Sequence, residues 1–551
     1  MRIVLFAALW GGLLLPGAAA WGQSAATKTA PAGPTGPEAA QAQWYLRDPQ
    51  LDKVPGIGAT RAYAELLQGR TPTVVVVAVI DSGIDTAHVD LKPVLWTNRR
   101  EIPGNGIDDD KNGYVDDVHG WNFLGGADGR NIDTETLEIT RLVAQCRPRF
   151  KGKTRQQVPV AQQATYDLYQ QAETLYAKRL KESRGSAPEM EQIGELARQL
   201  GSMNAALKQS LGTARLDTAT LRTARPADPQ QARMAQALLA ILRESGKPDA
   251  DALLSELSAG LKETSNTSNY QLRLDYNPRA TIVKDNPDDL AQRGYGNADL
   301  HGPDPLHGTH VAGIIAAVRD NGLGVQGIAP APVQVMMLRA VPDGDERDKD
   351  VALAIRYAAD NGASIINMSF GKELSAQRPA VEAAFLYAAS KNVLLVHAAG
   401  NEDDDLAAVP HYPAARTLAG QPFANLLTVG ASGPSDDRNL VADFSNFNQQ
   451  QVDVFAPGVD IYSTLPGSTY GPESGTSMAA PVTAGVAATL KSYFPQLTAV
   501  QLKDIIRRSA QVHHTKVRVP GELKMADFST LSNSGGVVDL YEAVKLAMAV
   551  K

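Results

Sequence analysis

The sequence predicts an α/β protein: a mostly parallel β-sheet with helices on both faces, interrupted by a large helical insertion. Three observations carry that reading. "TVVVVAVIDSGID", residues 73–85, is an unbroken β-branched run closing on an aspartate and a glycine, the pattern of a strand buried on both faces. From His307 onward, strand-like runs at Val333–Leu338, Ala363–Met368, Val393–Ala398 and Leu426–Val429 alternate with helical stretches, as in a parallel sheet covered by helices. Between these regions, residues 128–294 are rich in Ala, Gln, Leu, Arg and Glu and poor in strand-like runs.

Taken in order, the chain begins with "MRIVLFAALWGGLLLPGAAAW". A basic start, a short apolar run and small residues at 18–20 make residues 1–20 a signal peptide, with an apolar run too short for a lasting membrane span. No later segment is apolar enough to cross a bilayer, so the mature chain is expected to be secreted or periplasmic, with no membrane attachment. Residues 21–43 include "TKTAPAGPTGPEAAQAQ", a Pro/Gly/Ala linker with no reason to fold. Residues 44–127 and 295–551 read as the two parts of one α/β domain. Within the insertion, Ile193, Leu196, Leu200, Met203 and Leu207 fall on one helical stripe; Tyr169, Ala172, Tyr176 and Leu180 fall on another, and Leu254, Leu257 and Leu261 on a third. Several amphipathic helices forming a bundle or lid are expected, with the stripes as packing faces.

The 551 residues carry a formal net charge of −7 with both signs well mixed, which offers no nucleic-acid surface. Cys146 is the single cysteine, so no intrachain disulfide can form and stability must come from packing or bound ions.

Three small-residue-rich segments carry chemistry. "VIDSG" places Asp81 at the end of an apolar strand, "HGTHVAG" places His307 just ahead of an apolar helix, and "GTSMAAP" places Ser477 at the start of another. Sites in open α/β sheets gather at the carboxyl ends of strands, which suits Asp81. A serine hydroxyl that attacks a carbonyl needs a base for its proton, and the base needs an acid to hold its tautomer and balance its cation. A serine at a helix start can instead be a cap; Thr476 stands beside Ser477 for that role. His310, three residues after His307, is expected to be a hydrogen-bonded structural residue, since no glutamate follows it as in the helical zinc motif.

In these segments the chain resembles the subtilisin-like (subtilase) serine peptidases, which share the order Asp…His…Ser. The resemblance covers roughly residues 72–123 and 295–510. It implies Asp81, His307 and Ser477 as the catalytic triad. It also implies Asn401, in "VLLVHAAGNED", as the side-chain donor to the oxyanion, with the Ser477 backbone N–H as the second donor. "IINMSFG", residues 365–371, resembles the strand whose backbone pairs with extended substrate, so Ser369, Phe370 and Gly371 are expected to bind peptide. The function implied is a secreted endopeptidase acting on protein or peptide substrates through an acyl-serine intermediate. A catalytically silent binding protein on the same scaffold, or an esterase or peptide ligase using the same serine, are the alternatives.

"GNGIDDDKNGYVDDVHGW", residues 104–121, places Asp108, Asp110, Asn112, the Tyr114 carbonyl and Asp116 at the spacing of an oxygen-ligand loop for Ca²⁺, with Gly113 at the sharp turn. The closing glutamate of an EF-hand is replaced by His119, and the crowded aspartates would repel one another without a cation. A second calcium site, between Asp90 and Asn321 with carbonyls from Leu323 and Val325, is implied only by the resemblance. The sequence departs from the family in the insertion between Asp81 and His307. It also departs in the stretch after Ala20, which is too short for the folded prodomain that subtilases commonly carry. The inserted helices are expected to take over that prodomain's chaperone role, or none is needed.

Overall fold

The computed structural model describes residues 42–245, 247 and 249–550; the signal-peptide reading and most of the linker fall outside them. Strands β1 (Val75–Asp81), β2 (Gly120–Asn122), β3 (Val333–Arg339), β4 (Ala363–Met368), β5 (Leu394–Ala398), β6 (Leu426–Ser432), β7 (Val454–Pro457), β10 (Gln511–Val512) and β13 (Gly536–Val537) form one sheet. Its order is β10-β13-β7-β6-β5-β4-β1-β3-β2, parallel throughout except where β10 meets β13. A hairpin of β8 (Ile461–Leu465) and β9 (Thr469–Glu473) and a ribbon of β11 (Lys516–Arg518) and β12 (Met525–Asp527) lie apart from it.

Twelve α-helices are described. In chain order they are α1 (Ala59–Glu65), α2 (Glu138–Phe150), α3 (Gln163–Leu211), α4 (Thr218–Thr223), α5 (Pro229–Ser245), α6 (Ala250–Asn266), α7 (Leu306–Ala316), α8 (Asp348–Asp360), α9 (Arg378–Ser390), α10 (Thr476–Tyr493), α11 (Ala499–Ser509) and α12 (Leu540–Ala549). The valine run of β1 shows why both faces are apolar. Val77 and Val79 pack with α7 and α10 through Val311, Ile315, Val482 and Val486. Ala78 and Ile80 pack on the other face with α8 and α9 through Ile355 and Phe385. Chain order reverses on either side of β1, to β3 on one flank and β4 on the other. That puts Asp81 at a switch point on the carboxyl edge, where open α/β sheets hold their sites.

The insertion differs from its expected form in one respect. The stripes at 169–180 and 193–207 lie on a single 49-residue helix, α3, which continues through Pro188. A proline normally breaks a helix interior; here α2, α5 and α6 pack along α3 and hold both halves. Gly212 in the left-handed region ends it. Leu200, Met203, Leu207, Leu238, Leu242 and Leu253 form the core of the distal helices. Among the described residues, no helix is long and apolar enough to cross a membrane.

Candidate active site

Asp81 ends β1 almost fully buried, and Oδ1 of its carboxylate accepts from the Ser82 backbone N–H at 2.8 Å and from His307 Nδ1 at 2.7 Å. His307 is the second residue of α7. The helix can lie this close to the strand because its next residue is a glycine: a Cβ on Gly308 would stand 2.1 Å from the Gly83 carbonyl oxygen. Arg339, the β3 neighbour of Asp81, locks the turn from below by donating to the Ser82 carbonyl at 2.7 Å and to Asn122 Oδ1 at 3.0 Å. Burial pushes this guanidinium down to about 10, against the more distant pull of Asp299 and Asp133. Burial likewise disfavours a charged His307, but the adjacent Asp81 carboxylate outweighs it and raises the imidazole above its ordinary value.

Ser477 is the second residue of α10, after Gly475 at the cap position. Its side chain is not serving as that cap. Its hydroxyl donates to the Ser369 carbonyl at 3.3 Å, a long bond, and is turned to that carbonyl rather than to His307. The structure therefore joins Asp81 to His307 directly, while the Ser477 hydroxyl is bonded to the Ser369 carbonyl. Asn401 is fixed by Thr476, whose backbone N–H and hydroxyl donate to Asn401 Oδ1 at 2.8 and 2.9 Å. That leaves Asn401 Nδ2 as the outward donor. A Cβ placed on Gly475 would stand 3.6 Å from both Asn401 Nδ2 and Ser477 N, so these two donors border one small space beside the hydroxyl.

A profile described as the subtilase family matches residues 73–534, most of the chain. The chain belongs to the subtilase family. It is 40% identical over 205 residues to a thermophilic serine proteinase of Bacillus sp. (strain AK1), an overlap of 37% of this chain and 46% of that protein. It is 37% identical over 204 residues to subtilisin BL of Lederbergia lenta, covering 37% of this chain and 70% of that one. To thermitase of Thermoactinomyces vulgaris it is 38% identical over 219 residues, covering 38% of this chain and 72% of thermitase. The chain thus spans under half of the first of these relatives and somewhat over two thirds of the other two.

In this subtilase the segment expected to bind peptide follows the end of β4. Ser369 is tied twice to Ser477: its hydroxyl donates to the Ser477 carbonyl at 2.9 Å, and its carbonyl receives the Ser477 hydroxyl. The Phe370 carbonyl accepts from His397 Nε2 at 2.9 Å. Gly371 is exposed, and Lys372 after it pairs with Tyr412 through both backbone bonds. Sequence reasoning missed what holds this edge. The Lys372 side chain is 1% exposed and sits 2.9 Å from Asp348 and 3.5 Å from Glu138, with the Glu346 carbonyl accepting at 2.7 Å. Asn367, whose amide donates to Ser369 Oγ at 2.9 Å, was equally silent in the sequence. His310 is buried and bonded to the Gly471 carbonyl at 3.1 Å, and burial lowers it to about 3, which keeps the ring neutral.

The acidic loop brings Asp108 and Asp110 together with Glu101, ligand oxygens of all three lying within 4.8 Å of one another. Glu101 was missed because it precedes the loop pattern. Asn112 lies against this cluster by its backbone N–H, but its side-chain amide donates to Asp117 at 2.8 Å. Asp116 faces away, its carboxylate accepting from the backbone N–H groups of Gly104, Asn105 and Gly106. The Tyr114 ring is buried against Trp121, Phe123 and Tyr357. Asp90 and Asn321 meet through the asparagine amide, and Tyr470 O–H donates to the other Asp90 oxygen at 2.7 Å.

Proposed function

We propose that this subtilase is an exported serine endopeptidase that cleaves peptide bonds through an acyl-Ser477 intermediate. The observation that carries the reading is the 2.7 Å Asp81–His307 pair at the carboxyl edge of the sheet, with Ser477 at an adjoining helix start. Rotation about the serine χ1, between staggered wells, turns the hydroxyl from the Ser369 carbonyl toward His307 Nε2. His307 takes the hydroxyl proton as Ser477 attacks the substrate carbonyl, and Asp81 holds Nδ1–H and balances the imidazolium. The tetrahedral oxyanion is received by Asn401 Nδ2 and the Ser477 N–H, the latter strengthened by the N-terminus of an 18-residue helix. His307 then returns the proton to the leaving amine, and water repeats the sequence to release the acyl group.

Turning the Ser477 hydroxyl toward His307 releases the Ser369 carbonyl, which together with Gly371 offers backbone groups for an extended substrate to add as a strand. Residues 44–127 and 295–551 build this peptidase domain and residues 128–294 the helical insertion. A calcium ion would be held by Glu101, Asp108 and Asp110, an all-oxygen, negatively charged set that suits a hard cation. When bound it supplies positive charge that relieves carboxylate repulsion. For Asp116 the structure supports a loop-capping role instead. For Asp90 and Asn321, already bonded to each other and to Tyr470, it supports a structural pair.

A fluorophosphonate probe, run on wild type and Ser477→Ala beside a casein assay, tests the reading. Labelling confined to the wild type, with casein cleavage, is expected. No labelling would remove the enzyme; labelling without proteolysis would favour an esterase or ligase. N-terminal sequencing of exported protein is expected to find a start just after Ala20.

A further inference from the structure

Two ion pairs, one partly buried and one exposed, fasten the insertion beside the peptide-binding edge and just ahead of His307. Arg179 of α3 meets Glu373 at 3.0 Å, two residues past Gly371 of the peptide-binding edge. Glu402, next to Asn401, adds its charge to the same arginine. Lys262 of α6 meets Asp304 at 3.0 Å, three residues before His307. The two helices form one body: Leu261 fills the space beside Gly194, Thr264 bonds Met190, and Ser183 bonds Ser268 at 2.8 Å. From Arg179 to Gly194, α3 therefore runs about 22 Å from one anchor to the other at 1.5 Å per residue. Beyond it, the charges of Lys247 and Glu256 act on Glu473, four residues before Ser477.

We propose that α3 is a bar across the substrate cleft, latched at both banks by Arg179–Glu373 and Lys262–Asp304, that admits extended, unfolded polypeptide segments and excludes folded protein surfaces. An extended chain adds as a strand roughly 4.8 Å from the edge it pairs with, so it can lie beneath a helix, whereas a folded domain cannot approach. What passes under the bar as substrate rests on the peptidase reading; the bar itself does not.

The test uses the full chain with Ser477→Cys, in which the new thiol reports access whether or not Ser477 is a nucleophile. The parent chain, whose Cys146 is buried, gives the background. Alkylation by iodoacetamide and by a bulky polyethylene-glycol maleimide is timed with and without Arg179→Ala and Lys262→Ala. Iodoacetamide is expected to react at the same rate in both chains. The bulky reagent should be slow in the latched chain and about three- to tenfold faster in the unlatched one, as two solvent-accessible ion pairs allow. Raising salt from about 0.05 to 1 M should speed the latched chain toward the unlatched one, and it requires no further variant. Equal access of both reagents to the latched chain, or a bulky-reagent rate that neither the variants nor salt changes, overturns the bar. With Ser477 intact, the unlatched chain is expected to gain cleavage of folded proteins relative to casein. Loss of all cleavage there would strike the peptidase reading and leave the thiol result standing.

Discussion

Asn401→Asp separates the structural task of Asn401 from the oxyanion task proposed for it. Its Oδ1 receives two hydrogen bonds from Thr476, while Nδ2 faces the space bordered by Ser477 N. Aspartate keeps the acceptor and deletes the donor. Alanine deletes both, and two neutral hydrogen bonds at about 0.5–1.5 kcal/mol each put its loss of stability near 1–3 kcal/mol. Loss of one preorganised oxyanion donor costs about 10²–10³ in turnover, or 2.7–4 kcal/mol, a figure measured on a subtilisin's own asparagine. The aspartate charge adds repulsion toward the oxyanion, of order 4 kcal/mol for unit charges about 4 Å apart near a protein surface. The rank orders must therefore cross. In urea unfolding, Asn401→Asp should stay near wild type while Asn401→Ala falls. In kcat on a chromogenic peptide, both should fall at least a hundredfold, the aspartate by no less than the alanine. An Asn401→Asp enzyme keeping more than about a tenth of wild-type kcat would refute this placement of the donor.

In the proposed mechanism His307 works as neutral imidazole, and its pKa is raised, so kcat/KM should climb with pH through a midpoint above the ordinary histidine value near 6.5. Asp81→Asn should move that midpoint down and lower turnover by about 10⁴, read from the pH–rate profile. Glu101→Gln should abolish the chelator-sensitive part of the melting temperature, about 2.7 kcal/mol of stabilisation at a hundredfold excess of calcium over its Kd. Lys372→Met should destabilise the fold by about 3–5 kcal/mol in urea, because it strands the buried Asp348 without its cation, while Glu138 keeps Arg141. Glu346 is buried beside that cluster and pushed up to about 8 by burial, against the pull of Lys372. The folded state thus keeps a proton that the unfolded chain releases near 4.5. This contribution is complete below that value and lost as pH rises toward 8, a slope that Glu346→Gln should flatten in pH-dependent unfolding.

The strands of the sheet centre and the placement of Asp81, His307 and Ser477 at element ends were legible because local pattern decides them. β-branched runs need two apolar faces, and a strand-end aspartate or a helix-start serine is marked by small neighbours. The short strands β2, β10 and β13 gave no such pattern, since two or three residues cannot display a period. Glu101, Lys372 and Arg339 were illegible for another reason. Lys372 acts on Glu138 and Arg339 on Ser82 and Asn122, partners distant in sequence, while Glu101 stands just outside the loop pattern it joins, and a lone charge carries no mark of burial. The insertion lay between these cases: its apolar stripes were visible, but Gly185 and Pro188 between them hid that two of them share one helix.

The insertion can be this long without disturbing the triad because it leaves and re-enters the sheet at one point. Asn122 and Asn297 exchange backbone bonds at 3.0 and 3.1 Å, and their side chains bond at 2.7 Å. With its ends pinned together, extra loop length raises the closure entropy only logarithmically and transmits no strain to β1 or α7. What the insertion does touch is the peptide-binding edge, through Glu138 on Lys372 and Arg179 on Glu373, and the approach to α7, through Lys262 on Asp304. Packing changes inside α3 and α6 should therefore alter KM and substrate size preference while the pH–rate midpoint set by Asp81 and His307 stays where it is. A shift of that midpoint by such a distal change would show that the two ends at Asn122 and Asn297 do not isolate the triad.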